Sequence, residues 1–479
     1  MKINIQGISI HLGGRCLLEN ISFTLLDGEH WAIAGPSGSG KTLLAKAIAG
    51  KIFYRGSIQF HDNNNQTFRP KIELVEQQHQ FTNKSNVQQF YYQQRFNASE
   101  AEDADTVEAV LNRICTDNRR DWINFFNLSS LLEKPLLQLS NGENKRLQLV
   151  KAMMQSPDLL ILDNPFVGLD KEGRNALQTA LDNISAEGTT ILLVAPLEDL
   201  PDSISHVALI NHGKITACKN KAELTEALAL DTTIESLPSP IQLKEQFNLQ
   251  NSNFNAAVKM KDVTIAYNGK EILSRINWTV KKGERWCVSG PNGAGKSTLL
   301  GLINADNPQA YANDIGLFDQ KRGTGESIWD IKKKIGYVSP ELHLFFDKSS
   351  TGFEAIASGL YDTIGLFRKP NPIDLKTIKG WMDCMMVSHL QEKRLHQMSL
   401  GEQRIVMLTR ALVKSPPMLI LDEPCQGLDR EQIIKFNELI NRICQSTDTT
   451  LIYVTHYEQD LPSCITHHLQ LIAGKKIEN

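Results

Sequence analysis

Apolar and polar positions along this chain alternate between two kinds of segment. Short runs rich in Val, Ile and Leu, such as residues 159–162 and 190–194, read as strands. Longer stretches with helical spacing separate them, which predicts an α/β organisation. Two apolar segments, Trp31-Ala32-Ile33-Ala34 and Trp286-Cys287-Val288-Ser289, run into glycine-rich loops and then into Leu/Ala-rich helical stretches. Residues 78–135 and 342–395 are less regular. The first of these regions is rich in Gln, Asn and aromatics and then carries the acidic run Glu100-Ala101-Glu102-Asp103-Ala104-Asp105, so it reads either as a solvated loop or as a surface that faces a partner.

The two glycine-rich loops carry recognisable chemistry. They read Gly35-Pro36-Ser37-Gly38-Ser39-Gly40-Lys41-Thr42 and Gly290-Pro291-Asn292-Gly293-Ala294-Gly295-Lys296-Ser297, the second followed by Thr298. Glycines at such positions let backbone amides turn towards phosphate oxygens. The lysines neutralise the β- and γ-phosphate charge, and the Thr42 and Ser297 hydroxyls can ligate Mg²⁺. Both loops sit in the strand–loop–helix context that the motif requires.

Behind each loop the same landmarks follow in order. Gly35 and Gly290, Ser140 and Ser399, Asp163 and Asp422, and Asp170 and Asp429 pair at offsets of 255 to 259, which marks an internal duplication. The copies differ where it matters most. Leu419-Ile420-Leu421-Asp422-Glu423-Pro424 offers a second carboxylate after its aspartate, whereas Leu160-Ile161-Leu162-Asp163-Asn164-Pro165 offers an amide. An amide cannot act as a carboxylate base, so one hydrolytic site and one nucleotide-binding site are expected. The other reading is that positioning alone suffices and both sites turn over.

Over nearly its whole length the chain resembles the ATP-binding cassette (ABC) ATPase family. The resemblance implies two tandem P-loop NTPase domains of α/β class, each with a helical subdomain, at residues 1–232 and 258–479 with a linker at 233–257. It also implies cassettes facing head to tail, each ATP held between one glycine-rich loop and the other cassette's signature. The signatures here are Leu139-Ser140-Asn141-Gly142-Glu143 and Met398-Ser399-Leu400-Gly401-Glu402, in which Ser140, Gly142, Ser399 and Gly401 would meet the γ-phosphate. The closing Glu departs from the family's usual Gln.

As the resemblance implies, Lys296, Glu423 and His456 form the catalytic set of the second cassette. Tyr267 would stack on adenine, and Asp422 would complete the Mg²⁺ shell. Pro340 stands where the family has a metal-facing Gln, with Glu341 next to it as a substitute if the loop shifts by one residue. In the first cassette Lys41, Thr42, Gln77 and Asp163 remain, while Leu12 and Pro196 replace the aromatic and the histidine. The stretch 323–339, with Gly283-Glu284-Arg285-Trp286 and Pro462-Ser463-Cys464-Ile465-Thr466-His467, resembles tandem ATP-binding proteins associated with bacterial molybdenum-transport genes.

Bulk properties narrow the field further. The 479 residues carry a net charge of −3, which argues against a broad nucleic-acid-binding field. No apolar run of about 18 residues is present and the first residues show no signal-peptide pattern, so no membrane span and a cytoplasmic location are expected. The eight cysteines are scattered without paired spacing, and Cys287 reads as core filling. The expected cofactors are ATP and Mg²⁺. The expected partner is an integral-membrane permease that the protein energises from the inner membrane face. No nucleic-acid partner is expected, the compact linker and Asn164 disfavour a ribosomal factor, and a fused pair needs no second copy. The alternative classes are a regulatory or translation-associated ATPase without a permease, and a non-catalytic nucleotide switch.

Overall fold

The computed structural model describes the chain except residues 13–14, 63, 78–104, 115–118, 137–138, 140, 225–237, 248–253, 268, 456–460 and 478–479. The chain divides into two compact units whose boundary lies between Asp231 and Thr232.

In the first unit a six-stranded sheet is ordered Ile72–Val75, Leu159–Asp163, Thr190–Val194, Trp31–Ala34, His206–Asn211, Lys214–Asn220. All neighbours are parallel except the last pair. Its central strands are apolar apart from Thr190 and Asp163 at strand ends, because both faces are covered. Leu160, Leu162, Leu193 and Ala32 point into a core shared with the helices. The alternate residues Leu159, Ile161, Leu192, Val194 and Ile33 point into a second core. That second core is closed by a three-stranded antiparallel sheet of Arg15–Leu25, Lys2–Leu12 and Arg55–His61.

The second unit repeats this plan. Its sheet runs Ile335–Val338, Met418–Asp422, Thr450–Val454, Arg285–Ser289, His467–Ile472, Lys475–Ile477, and a four-stranded antiparallel sheet led by Lys270–Lys281 and Ala256–Tyr267 covers one face. Between the Pro340 region and the signature lie the helices Pro340–Phe345, Gly352–Ser358 and Pro372–Cys384. In the first unit the corresponding described helices are Val107–Asn112 and Arg119–Phe125.

Both units anchor the strand beneath the glycine-rich loop in the same way. Trp31 donates through Nε1 to Glu29 at 2.9 Å and stacks on His206 at 5.1 Å between ring centroids. Trp286 donates to Glu284 at 2.9 Å and stacks on His467 at 4.8 Å. The duplication therefore extends to side-chain architecture that the glycine-rich and acidic motifs do not contain.

The stretch expected to act as a linker holds a helix, Pro240–Gln246, opened by a reciprocal capping box between Ser239 and Gln242. Leu243 is fully buried, and Phe247 packs edge-on against Trp381 with ring centroids 5.0 Å apart. This helix belongs to the core of the second unit. The strand that follows begins at Ala256. Cys287 is fully buried.

Candidate functional site

Each glycine-rich loop follows a central strand and leads into an eight-residue helix, Lys41–Ile48 or Lys296–Ile303. The helices begin at Gly40 (φ 100°) and Gly295 (φ 96°), and no side chain caps their first amides. Uncapped N–H groups at a helix start are an anion site. Gly35 and Gly290 have φ of 143° and 144°. A Cβ at Gly290 would lie 2.1 Å from the Leu471 carbonyl oxygen, and one at Gly35 would lie 2.0 Å from that of Ile210. Glycine is therefore required at both. Gly38 and Gly293 also hold positive φ, at 77° and 79°.

The loop lysines fold back over these turns. Lys296 Nζ donates to the carbonyls of Gly290 at 2.7 Å and Pro291 at 2.9 Å, and Lys41 Nζ donates to those of Gly35 and Pro36, both at 2.7 Å. Lys296 and Thr298 are buried, whereas Ser297 is exposed. The Tyr267 hydroxyl accepts from Asn307 at 2.9 Å, while its ring is half-buried against the core under the antiparallel sheet.

The acidic strands end beside the loops, but their electrostatics differ. In the first unit Thr42 Oγ1 and Asn164 Nδ2 both donate to Asp163 Oδ1 at 3.1 Å. Asn164 also reaches Gln77 Oε1 at 3.5 Å, a long contact. Burial raises the Asp163 carboxyl above the usual range, opposed by Thr42, Lys145 and Lys46. In the second unit burial raises Asp422 well above that range, and the neighbouring Glu423 and Glu341 carboxylates push the same way against Lys296. One site thus gives its aspartate an amide, two lysines and the single carboxylate of Glu76, and the other gives two further carboxylates and one lysine.

That crowding of acids is what a divalent cation relieves. Among the described residues no group of three or more His, Cys, Asp or Glu is arranged to hold a metal by itself. Pro340 is the first residue of a helix capped by Ser339, whose hydroxyl accepts from Leu342 N–H at 3.1 Å. The proline takes the position of the family's Gln and begins a helix there, and Glu341 is the residue whose charge reaches Asp422.

Glu423 and Asn164 share an unusual backbone. Their φ values are 43° and 45°, and their N–H groups donate to Val454 and Val194 at 2.9 and 2.8 Å, the last residues of the neighbouring strands. His456, expected to sense the γ-phosphate, lies outside the described residues.

Both signature glutamates hold lysines. Glu402 accepts from Lys393 at 2.9 Å through each oxygen and completes a capping box with Ser399, and Glu143 accepts from Lys134 at 2.7 Å. A glutamine at either place would lose the ion pair, which accounts for the departure noted in the sequence. A Cβ at Gly401 would lie 2.7 Å from Gln432 Nε2, the movable end of a flexible side chain, while one at Gly142 would make an ordinary 3.5 Å contact with Leu169. Ser140 lies outside the described residues.

Three neighbours of the site were not singled out by the motifs: Gln426, which donates to Glu423; Arg404, on the signature helix; and Lys145, its counterpart in the first unit. The signal was present in the duplication, because Val167 stands at the position of Gln426.

A sheet whose loops cradle phosphate, with an acidic strand alongside, occurs twice in this chain. It belongs to the ABC transporter family, whose profile matches residues 18–167 and 273–426, and it is a tandem ABC ATPase. It is 34% identical to the ABC transporter ATP-binding protein ModF of Escherichia coli (strain K12), over 98% of this chain and 96% of that one. An uncharacterized ABC transporter ATP-binding protein of Schizosaccharomyces pombe is 32% identical over 96% of both chains. The solved structure of RNase-L Inhibitor shares the fold, with a TM-score of 0.57 and 17% identity across 98% of this chain and 90% of that one. Among the described residues no helix is long and apolar enough to cross a membrane.

Proposed function

We propose that the second cassette hydrolyses Mg·ATP and the first binds nucleotide with little turnover, and that the protein energises transmembrane transport with a separate permease. The carrying observation is the contrast between Glu423 beside Asp422 and Asn164 donating to Asp163. In the second cassette Lys296 holds the phosphates and Ser297 and Asp422 hold Mg²⁺, while Thr298 supports the loop and Tyr267 offers its ring to adenine. The metal lowers the charge on the phosphates when it is bound. Glu423 orients and polarises the attacking water. In the first cassette Lys41, Thr42, Gln77 and Asp163 keep the nucleotide, and the amide of Asn164 stands where the second cassette has the Glu423 carboxylate.

Steady-state ATPase assays test this directly. Glu423→Gln lowers turnover by about a hundredfold or more, while Asn164→Asp leaves it within about twofold. Equal loss from both variants sinks the asymmetry.

The transport reading is supported by the likeness to ModF, and it puts the protein at the inner membrane face with molybdate as the first solute to test. The second reading is a regulatory or translation-associated ATPase without a permease. Capture with ATP on the Glu423→Gln chain separates them: a multi-span membrane protein supports transport, and ribosomal subunits support the second reading.

A further inference from the structure

The neighbours of Glu423 form a linked set that the family motifs do not contain. Gln426 donates through Nε2 to Glu423 Oε2 at 3.0 Å, and its backbone N–H closes a turn onto the Glu423 carbonyl at 3.1 Å. The carbonyl of Gln426 accepts in turn from Arg404 Nη2 at 3.0 Å. Arg404 sits on the helix Leu400–Leu412 that starts at the signature serine, and it is only 4% exposed.

Arg404 is a costly residue to bury. Among the described residues its Nε and Nη1 find no hydrogen-bond partner. A buried guanidinium with idle donors is retained only where its charge is compensated. Burial pulls it down to about 10, and the groups that favour its charged form are Cys425 and Glu423. Half-buried His343 next to it is pushed down to about 3, first by burial and then by Arg404, so at neutral pH the imidazole carries no charge.

The first cassette supplies an internal control. At the position of Gln426 stands Val167, which has no side-chain donor, and at that of Arg404 stands Lys145, whose ammonium donates to the Glu76 carbonyl at 3.0 Å. The amide–guanidinium pair therefore accompanies the carboxylate and is missing where Asn164 replaces it.

We propose that Gln426 and Arg404 are positioning residues that hold the Glu423 carboxylate in its working orientation, Gln426 directly and Arg404 through the Gln426 backbone and by charge. The proposal rests on Glu423 being the hydrolytic carboxylate. A backbone at φ 43° fixes where the Glu423 side chain departs, and the two neighbours fix where its oxygens end. Because Arg404 lies five residues beyond Ser399, the same link ties the carboxylate to the signature helix.

The test uses the full chain and copies the first cassette's residues into the second, as Gln426→Val and Arg404→Lys, each alone and on the Glu423→Gln background. The expected result for Gln426→Val is a fall in kcat of about tenfold or more, with KM for ATP and affinity for a fluorescent ATP analogue within about twofold. On the Glu423→Gln background it adds no further loss. The proposal is overturned if Gln426→Val and Arg404→Lys both leave kcat unchanged while Glu423→Gln is inactive. It is also overturned if the loss tracks a fall in Tm, or persists undiminished on the Glu423→Gln background, since either result marks a structural role. Should Arg404→Lys fail to fold, Gln426→Val decides alone. Full turnover by Glu423→Gln would instead remove the underlying assignment of Glu423.

Discussion

Asn164 donates its side-chain amide to Oδ1 of Asp163 at 3.1 Å, the same oxygen that accepts from Thr42. The amide does more than lack a charge, because it occupies an acceptor of the aspartate. It also relieves backbone strain. Asn tolerates the left-handed region, whereas Glu423 adopts φ 43° without that advantage, which is the mark of a residue kept for chemistry.

Exchange of the two residues therefore has opposite consequences for stability and activity. Asn164→Glu destabilises the first unit by roughly 1 kcal/mol and does not raise turnover, and Glu423→Asn stabilises the second unit by a similar amount and abolishes turnover. Urea unfolding combined with hydrogen exchange in each unit, run beside an ATPase assay, checks both signs.

Two glycines of the second loop separate strain from collision. Gly290→Ala brings a methyl against the Leu471 carbonyl, whereas at Gly293 a Cβ meets nothing within 4 Å and only positive φ opposes it. Gly290→Ala should abolish binding of a fluorescent ATP analogue to the second cassette. Gly293→Ala should weaken it by about five- to thirtyfold, in line with a strain of about 1–2 kcal/mol.

Glu341 contributes negative charge at Asp422, and Pro340 contributes none. Glu341→Gln should raise the Mg²⁺ concentration for half-maximal turnover about three- to tenfold, while Pro340→Ala should leave it nearly unchanged. Magnesium titrations at fixed ATP decide the matter, and equal responses would show that charge is not the cause.

The Glu402 cap predicts a pH dependence. Burial raises its carboxyl, but Lys393 and the Ser399 N–H outweigh that and hold it below its usual range. A carboxyl with a lowered folded pKa adds stability that is complete above its unfolded value, near 4.5, and is lost as pH falls through the folded one. Because the pair is partly exposed, Glu402→Gln should cost only about 0.5–1 kcal/mol at pH 7. The difference should shrink once the pH falls below the unfolded value and vanish after it has passed through the folded one, as measured by urea unfolding at each pH.

The parts of this site that recur in sequence were readable there. The loops, the acidic strands and the duplication are local patterns, and a parallel strand buried on both faces reads as a nearly unbroken apolar run. Other parts depend on tertiary packing. The helix Pro240–Gln246 is too short for periodicity to declare, although Ser239-Pro240-Ile241-Gln242 spells its capping box. Arg404 lies 19 residues before Glu423, and only the fold places the two together. Pro340 was legible as a departure from the family, but its role in opening a helix needed the Ser339 cap to be seen.

The burial of Leu243 and Phe247 also determines where this chain can be divided. A fragment of the second cassette that begins at its first strand, Ala256, leaves Trp381 uncovered and exposes the apolar bed on which Phe247 rests. A cut placed before Ser239 keeps that lid attached, so the natural seam of the molecule lies upstream of the helix, and what looks like tether is half anchor.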